Sequence, residues 1–227
     1  MAVTLYDAPH TDLTEDEIDA WRSVPVSVAV DLARDIGQID PAIRPIHPPG
    51  RQPRLFGRAL TVFCEPPDFG AVVHALDIVQ PGDVLMIAAS GQKDFAMVGD
   101  ILGGRLRRLG CVGIVCDGAV RDVGQLAEWS DFSVFTRFIT PRGPASAERG
   151  TINGSVVIGG CTVSAGDLVI GDDDGVVALS PANVRGRIGD ALAKLRLEAQ
   201  WQKELQDGKS AAATFSLAAP AKVKSNP

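Results

Sequence analysis

The apolar positions of this chain follow two regimes. Between about residues 70 and 140, helical spacing and short unbroken apolar runs alternate. In "DFGAVVHALDIV", Val72, Val73, Leu76 and Val79 recur at helical intervals and predict a helix. "PGDVLMIAAS" reads as a turn and a buried strand, residues 100–109 as a helix, and "CVGIVCDG" as a strand. "RDVGQLAEW" then reads as a short helix and "DFSVFTRFIT" as a further strand, while "SGQKDFAMVG" reads as a loop. This alternation predicts a parallel or mixed sheet with helices packed on it. Past residue 150 the pattern changes. "INGSVVIGGCTVSAGDLVIGDDDGVVALS" is a series of short apolar segments cut by Gly and Asp turns, which predicts an antiparallel C-terminal half. A C-terminal helix comes next, with Val184, Ile188, Leu192, Leu195 and Ala199 on one face and a stop at Gly208.

The N-terminal part is less periodic. "TEDE" (14–17) is a capping box, a hydroxyl followed three residues later by a glutamate, and starts a short helix through Trp21. The second half of "VPVSVAVDLARDIG" reads as a helix ended by Gly37. Five prolines between Pro41 and Pro53 exclude a regular helix or a central strand there and leave an exposed loop or arm. "RLFGRALTVFCE" reads as a strand pair or as one strand bent around Gly57. The expected organisation is an N-terminal arm (1–24), one α/β domain (25–215) and a loose tail (216–227).

Composition narrows the function classes. The 227 residues carry a net charge of −6, and the densest basic cluster, "RLRRLG" (105–110), sits on a short helix as a solvated face. Neither suits a nucleic-acid binder, which carries a basic stripe. No window is long and apolar enough to span a bilayer, and the N-terminus is acidic rather than signal-like, so a cytoplasmic protein without a membrane partner is expected. Four scattered cysteines without a CxxC, and three scattered histidines, read as small buried hydrophobes in a reducing compartment rather than a zinc site.

The remaining candidate chemistry lies in "GDILGGRLRRLGCVGIVCDGAVRD" (99–122). Asp100 stands at the start of a helix, and Arg121 and Asp122 come directly after the next strand. The first amides of a helix have no internal partner and, with the helix dipole, attract an anion. Strand ends of an open α/β sheet share one edge, where ligands bind. Arg121 and the amides around Gly99 to Leu102 could therefore converge on one carboxylate, for which an arginine fork is suited. Asp100 and Asp122 could share a hard divalent cation that polarises a 2-oxo acid. The same residues also fit a simpler arrangement. Asp122 and Asp100 could each cap the helix beginning there, with Arg121 paired to either.

The spacing Asp100, twenty residues, Arg121-Asp122 resembles the D-x20-R-D signature of the class II pyruvate aldolases that act on 4-hydroxy-4-methyl-2-oxoglutarate and 4-carboxy-4-hydroxy-2-oxoadipate. The same family includes the regulator of ribonuclease activity A. "PGDVLMIAASG" (81–91) and "GGCTVSAGDLVIGDDDGVV" (159–177) match its landmarks in order, and the resemblance covers about residues 25–215. It implies a swivelling β-β-α type domain with a mixed sheet, assembled as a homotrimer or dimer of trimers with sites between subunits. It implies that Asp122 ligates Mg²⁺ or Mn²⁺, that Asp100 holds waters on the metal, and that Arg121 binds the 2-oxo acid and steadies the enolate oxygen. The amides of Ile101 and Leu102, beside Gly99, would hold the pyruvyl carboxylate. Asp31 matches the place of an aldolase glutamate, and Glu198 that of a C-terminal glutamate reaching a neighbouring subunit's site; either is also an ordinary solvated helix charge.

Two departures stand out. Gln125 occupies a position where the family often has an acid, and the basic, proline-rich segment with Arg44, Arg51 and Arg54 is longer than expected. A non-catalytic trimeric regulator that docks on a ribonuclease is the competing expectation, for which the acidic charge is suited. Methyl transfer is set aside, because "GGRLRRLG" lies in or at the end of a helix and is not a nucleoside-binding loop.

Overall fold

A computed structural model describes residues 2–7, 11–32 and 37–221. The chain begins with β1 (Thr4–Leu5), α1 (Glu15–Asp19), α2 (Val26–Leu32) and β2 (Arg44–Pro45). The capping box is formed: Thr14 Oγ1 accepts from Glu17 N at 3.3 Å, and Glu17 Oε2 accepts from Thr14 N at 2.8 Å. Helix α2 begins at Val26, earlier than its pattern predicts, and its expected end before Gly37 lies outside the described residues. The proline-rich stretch contributes only the two residues of β2, at a sheet edge, where prolines are tolerated.

The central alternation consists of β3 (Leu55–Phe63), α3 (Gly70–Ala75), β4 (Asp83–Ala88), β5 (Ala96–Val98), α4 (Asp100–Arg108), β6 (Gly113–Val120), α5 (Val123–Leu126) and β7 (Ser133–Ile139). The C-terminal half adds β8 (Thr151–Ile152), β9 (Val156–Ile158), β10 (Cys161–Val163), β11 (Leu168–Asp172), β12 (Gly175–Leu179), α6 (Pro181–Gln206) and α7 (Ala211–Thr214). β3 is one strand, not the pair that its glycine allowed.

β3, β4, β6 and β7 lie side by side and parallel, and β2 closes the far edge antiparallel to β7. The other edge of β3 pairs antiparallel with β11 over Leu55 to Arg58 and with β8 at Val62 and Phe63. β12 extends β11, and β9–β10 form a separate hairpin. The sheet is thus mixed, parallel at its centre and antiparallel in its C-terminal part.

Both faces of the parallel centre are covered, which is why its strands read as unbroken apolar runs. Leu85 and Ile87 of β4 face α3 and α4, packing with Val72, Leu106 and Phe132. Val84 and Met86 face the other way, against Phe135 and the hairpin residues Val156 and Ile158. A third cluster joins Trp21, Val24 and Val28 to Leu168, Ile170, Val184 and Ala191. Trp21, assigned from the sequence to an arm, is fully buried there, and its Nε1 donates to Val184 O at 3.1 Å. On α6, Val184 and Ala191 are buried and Ile188 and Leu195 pack against the cluster, whereas Leu192 is exposed. The 26-residue helix runs on past this core, and α7 folds back so that Phe215 meets Trp201 edge to face. All four cysteines are buried free thiols, and among the described residues no helix is long and apolar enough to cross a membrane.

Candidate active site

β5, which lies within the predicted loop, explains the twenty-residue spacing. β4 pairs with the first half of β6 and ends with Ala88 opposite Asp117. β5 then continues the same edge, with Ala96 opposite Ala119 and Val98 opposite Val120. β5 and β6 therefore end together, each followed at once by a helix. Gly99 leads into α4, and Arg121-Asp122 leads into α5. The Arg121 amide donates to Val98 O at 3.0 Å and locks the two strand ends. D-x20-R-D is the length of one α4–β6 unit returning to its own starting edge.

A bulge precedes this point. Cys116 pairs with Thr136 but Ala119 pairs with Phe138, so β6 carries one extra residue at Asp117-Gly118. Such a bulge bends the strand and re-aims the residues beyond it. Asp117 holds it: Oδ1 accepts from Arg137 Nε at 2.6 Å and Oδ2 from Gly159 N at 2.7 Å.

Asp122 has left-handed backbone torsions, φ 55° and ψ 34°, and its side chain makes no cap bond to α5. A non-glycine residue seldom adopts this conformation, although Asp tolerates it better than most. Its carboxylate instead reaches back to α4, where Oδ2 accepts from Asp100 N at 3.3 Å. The cap reading is thus corrected in both parts. The Asp122 main chain stands at the N-cap of α5 but its side chain serves the other helix, and Asp100 is the first residue of α4 rather than its cap, which is Gly99. The first i to i+4 bond of α4 runs from Gly103 N to Gly99 O, so the helix itself offers no acceptor for the amides of Ile101 and Leu102.

Arg121 Nε lies 3.4 Å from Asp122 Oδ2, and both side chains are 39% exposed. Two glycines make this arrangement possible. A Cβ on Gly99 would fall 2.3 Å from Asp122 Oδ2 and 3.0 Å from Arg121 Nε, and one on Gly143 would fall 2.7 Å from Arg121 Nη1. Gly99, Ile101, Leu102 and Arg121 line a cleft of about 320 Å³, closed by Phe69, Gly143 and Pro144. These four residues are brought together as the sequence suggested, with Asp100 and Asp122 beside them. Phe69, Gly143 and Pro144 were not singled out from the sequence. They come from the start of α3 and from the segment after β7, and only the "PRGPAS" turn (141–146) hints at them.

The two outer acids sit elsewhere. Asp31 and Glu198 both face Lys194, with N–O distances of 3.6 and 3.5 Å, on the α2–α6 side of the molecule, and neither lines the cleft. Gln125 donates to Glu128 at 3.3 Å. Arg54 donates to Val24 O and ties the proline-rich segment to the third core cluster.

The chain is similar to known proteins in sequence and in fold. The family model described as RraA-like, aldolase/RraA, matches residues 6–178. A Halalkalibacterium halodurans protein that bears the provisional name 4-hydroxy-4-methyl-2-oxoglutarate aldolase is 32% identical over 164 residues, 72% of this chain and 76% of its own length. The crystal structure of an uncharacterized protein from Pseudomonas syringae pv. tomato superposes with a TM-score of 0.79 at 23% identity, covering 90% of this chain and 99% of that one. Streptomyces coelicolor RraAS2, described as an unusual member of the RNase ES inhibitor RraA protein family, gives a TM-score of 0.72 at 24% identity, with coverage of 84% and 98%. These likenesses share the mixed-sheet fold described above. With the family match over most of its length, the chain belongs to the RraA-like, aldolase/RraA family.

Proposed function

We propose that the cleft binds a small 2-oxo acid and that the protein is a divalent-metal-dependent carbon–carbon lyase. It would cleave a 4-hydroxy-2-oxo acid to pyruvate and a second carbonyl compound, and decarboxylate oxaloacetate by the same chemistry. The observation that carries this reading is that Arg121 and the first turn of α4 line one cleft with Asp122 beside Arg121, Gly99 and Gly143 leaving no room for a side chain between them.

The donor set can be tested against a metal. Among the described residues no group of three or more His, Cys, Asp or Glu side chains gathers to enclose an ion. A closed site of the zinc type does not fit. Mg²⁺ or Mn²⁺, held by one or two carboxylates and otherwise by water and substrate, does fit the half-exposed Asp122 with Asp100 next to it. When bound, such a cation supplies a Lewis acid beside the 2-oxo group. Asp122 would hold it, and Asp100 would orient water beside it. The amides of Ile101 and Leu102 would bind the substrate carboxylate at the positive end of α4. Arg121 would pair with the 2-oxo oxygen and oppose the negative charge that develops there as the C3–C4 bond breaks. Phe69 and Pro144 would keep bulk water from that charge. A role for Glu198 or Asp31 as the outer acid would require a neighbouring copy, in a homotrimer or dimer of trimers.

A coupled assay with Mg²⁺ or Mn²⁺ should detect pyruvate from oxaloacetate or a 4-hydroxy-2-oxo acid. EDTA should abolish it, and Arg121→Ala and Asp122→Ala should each remove most of the rate. Unchanged activity in Asp122→Ala would overturn the metal assignment. The net charge of −6 favours a second reading, a non-catalytic regulator docking on a basic partner such as a ribonuclease. Ribonuclease capture, with no pyruvate released from any 2-oxo acid, would put that reading first.

A further inference from the structure

Asp68 lies just outside the cleft and is fully buried. Its Oδ1 accepts from Gly70 N at 2.8 Å and Arg149 N at 3.0 Å, and its Oδ2 from Glu148 N at 2.9 Å and Ser146 Oγ at 2.5 Å. The segment 145–149 is wound around this one carboxylate. Main-chain bonds fix the same segment to the start of α3: Ala145 N to Pro67 O at 2.9 Å, Phe69 N to Ser146 O at 3.0 Å and Ala71 N to Arg149 O at 3.2 Å. A Cβ on Gly70 would lie within 2.9 Å of the backbone of Ala147, Glu148 and Arg149, so the two chains pack backbone on backbone.

A buried, satisfied carboxylate is ordinarily a structural device. The position of the held segment adds to this. It begins at Gly143 and Pro144, the wall of the cleft, and Gly143 lies directly against the Arg121 guanidinium. On its other side the segment is tied to β5 by Ala96 N donating to Arg142 O at 2.8 Å. Arg121 is thereby confined between Gly99, which β5 fixes, and Gly143, which the Asp68 segment fixes.

We propose that Asp68 is a positioning residue for Arg121: through segment 144–149 it sets Gly143 against the guanidinium and so fixes where Arg121 presents its donors to a ligand oxygen. The proposal rests on the ligand-binding role of Arg121 given above. It predicts damage at Arg121 beyond any general loss of stability.

The test separates those effects. With ¹⁵N-labelled arginine, the Arg121 Nε–Hε signal is identified by its loss in Arg121→Lys. Oxalate with Mn²⁺ serves as the ligand probe, and unfolding midpoints are measured alongside. Asp68→Asn keeps the size of the side chain but replaces an acceptor with a donor facing donors. Ser146→Ala removes one bond and serves if Asp68→Asn does not fold. Thr61→Val, which removes the buried bond from Thr61 Oγ1 to Gly154 O (2.7 Å) outside the segment, is the stability control. Asp68→Asn should shift or broaden the Arg121 signal and weaken oxalate binding at least about tenfold, with Ser146→Ala less severe and Thr61→Val near wild type. The proposal is overturned if the Arg121 signal and oxalate affinity are unchanged in the two segment variants, or if they follow the unfolding midpoint alike in all three. If the wild type neither binds oxalate nor releases pyruvate, the lyase reading fails, and the Arg121 signal in Asp68→Asn still decides the positioning role.

Discussion

Gly99→Ala isolates the geometry of the cleft from the stability of the fold. At φ −138° and ψ −163° the backbone is extended, so alanine fits without torsional strain. The cost is spatial. The new Cβ would lie 2.3 Å from Asp122 Oδ2, against a closest approach of 3.0 Å for real Cβ contacts, and 2.9 Å from Arg121 Cγ. Both side chains are 39% exposed and can swing toward solvent, so the clash is relieved by displacement. Poorer helix capping and slight overpacking then cost about 1–2 kcal/mol of stability. Function has no such relief. Asp122 must move by about 0.7 Å or more, and a misplacement on the order of 1 Å lowers a rate about 100-fold, roughly 2.7 kcal/mol of transition-state stabilisation. The assay is kcat/KM for pyruvate release from oxaloacetate at saturating Mn²⁺, beside a thermal unfolding midpoint. Gly124→Ala is the control, since a Cβ there meets nothing within 4 Å. A Gly99→Ala enzyme within about threefold of wild type would refute the assignment of the reaction to this cleft, because Asp122 cannot keep its present place with a Cβ 2.3 Å from its Oδ2.

Two buried groups give further outcomes. Burial alone would push Asp68 up, but its hydrogen bonds from Ser146, Glu148, Gly70 and Arg149 outweigh it and hold the carboxyl well below its ordinary 3.8. A carboxyl depressed in the folded state contributes stability that is complete above the unfolded value and is lost as pH falls from there toward the folded one. The urea midpoint of the wild type should therefore exceed that of Asp68→Asn most at pH 7, and the gap should narrow as pH falls from about 5 to 2; a constant gap would contradict the ionised, hydrogen-bonded state. Trp21→Ala should cost about 3–5 kcal/mol in urea unfolding, as for a large buried aromatic, whereas a loss below about 1 kcal/mol would mean that Trp21 belongs to a dispensable arm.

How much of this protein is legible in its sequence depends on how local the cause is. β4 and β6 are legible because two covered faces force an unbroken apolar run, and the Thr14–Glu17 box is legible because all its partners lie within four residues. β5 is not, since three residues are too few to display a period and its strand character comes from the edge that β4 vacates at Ala88. Asp68 and Gly143 are invisible for a similar reason: one gathers donors 78 to 81 residues away, and the other abuts an arginine across the end of a sheet. Asp100, Arg121 and Asp122 fall between these cases. Their spacing marks them as a pair of helix starts, yet it leaves open whether the carboxylates cap their own helices or face a common ligand. The deciding variable is the sign of φ at Asp122. With ordinary torsions the carboxylate would turn inward on α5 and satisfy that helix alone. At φ 55° it crosses to the amide of Asp100 and keeps two-fifths of its surface open beside Arg121. The same hydrogen bond that completes a neighbouring helix therefore also holds the carboxylate beside Arg121, so capping a helix and the proposed ligand binding do not compete for Asp122.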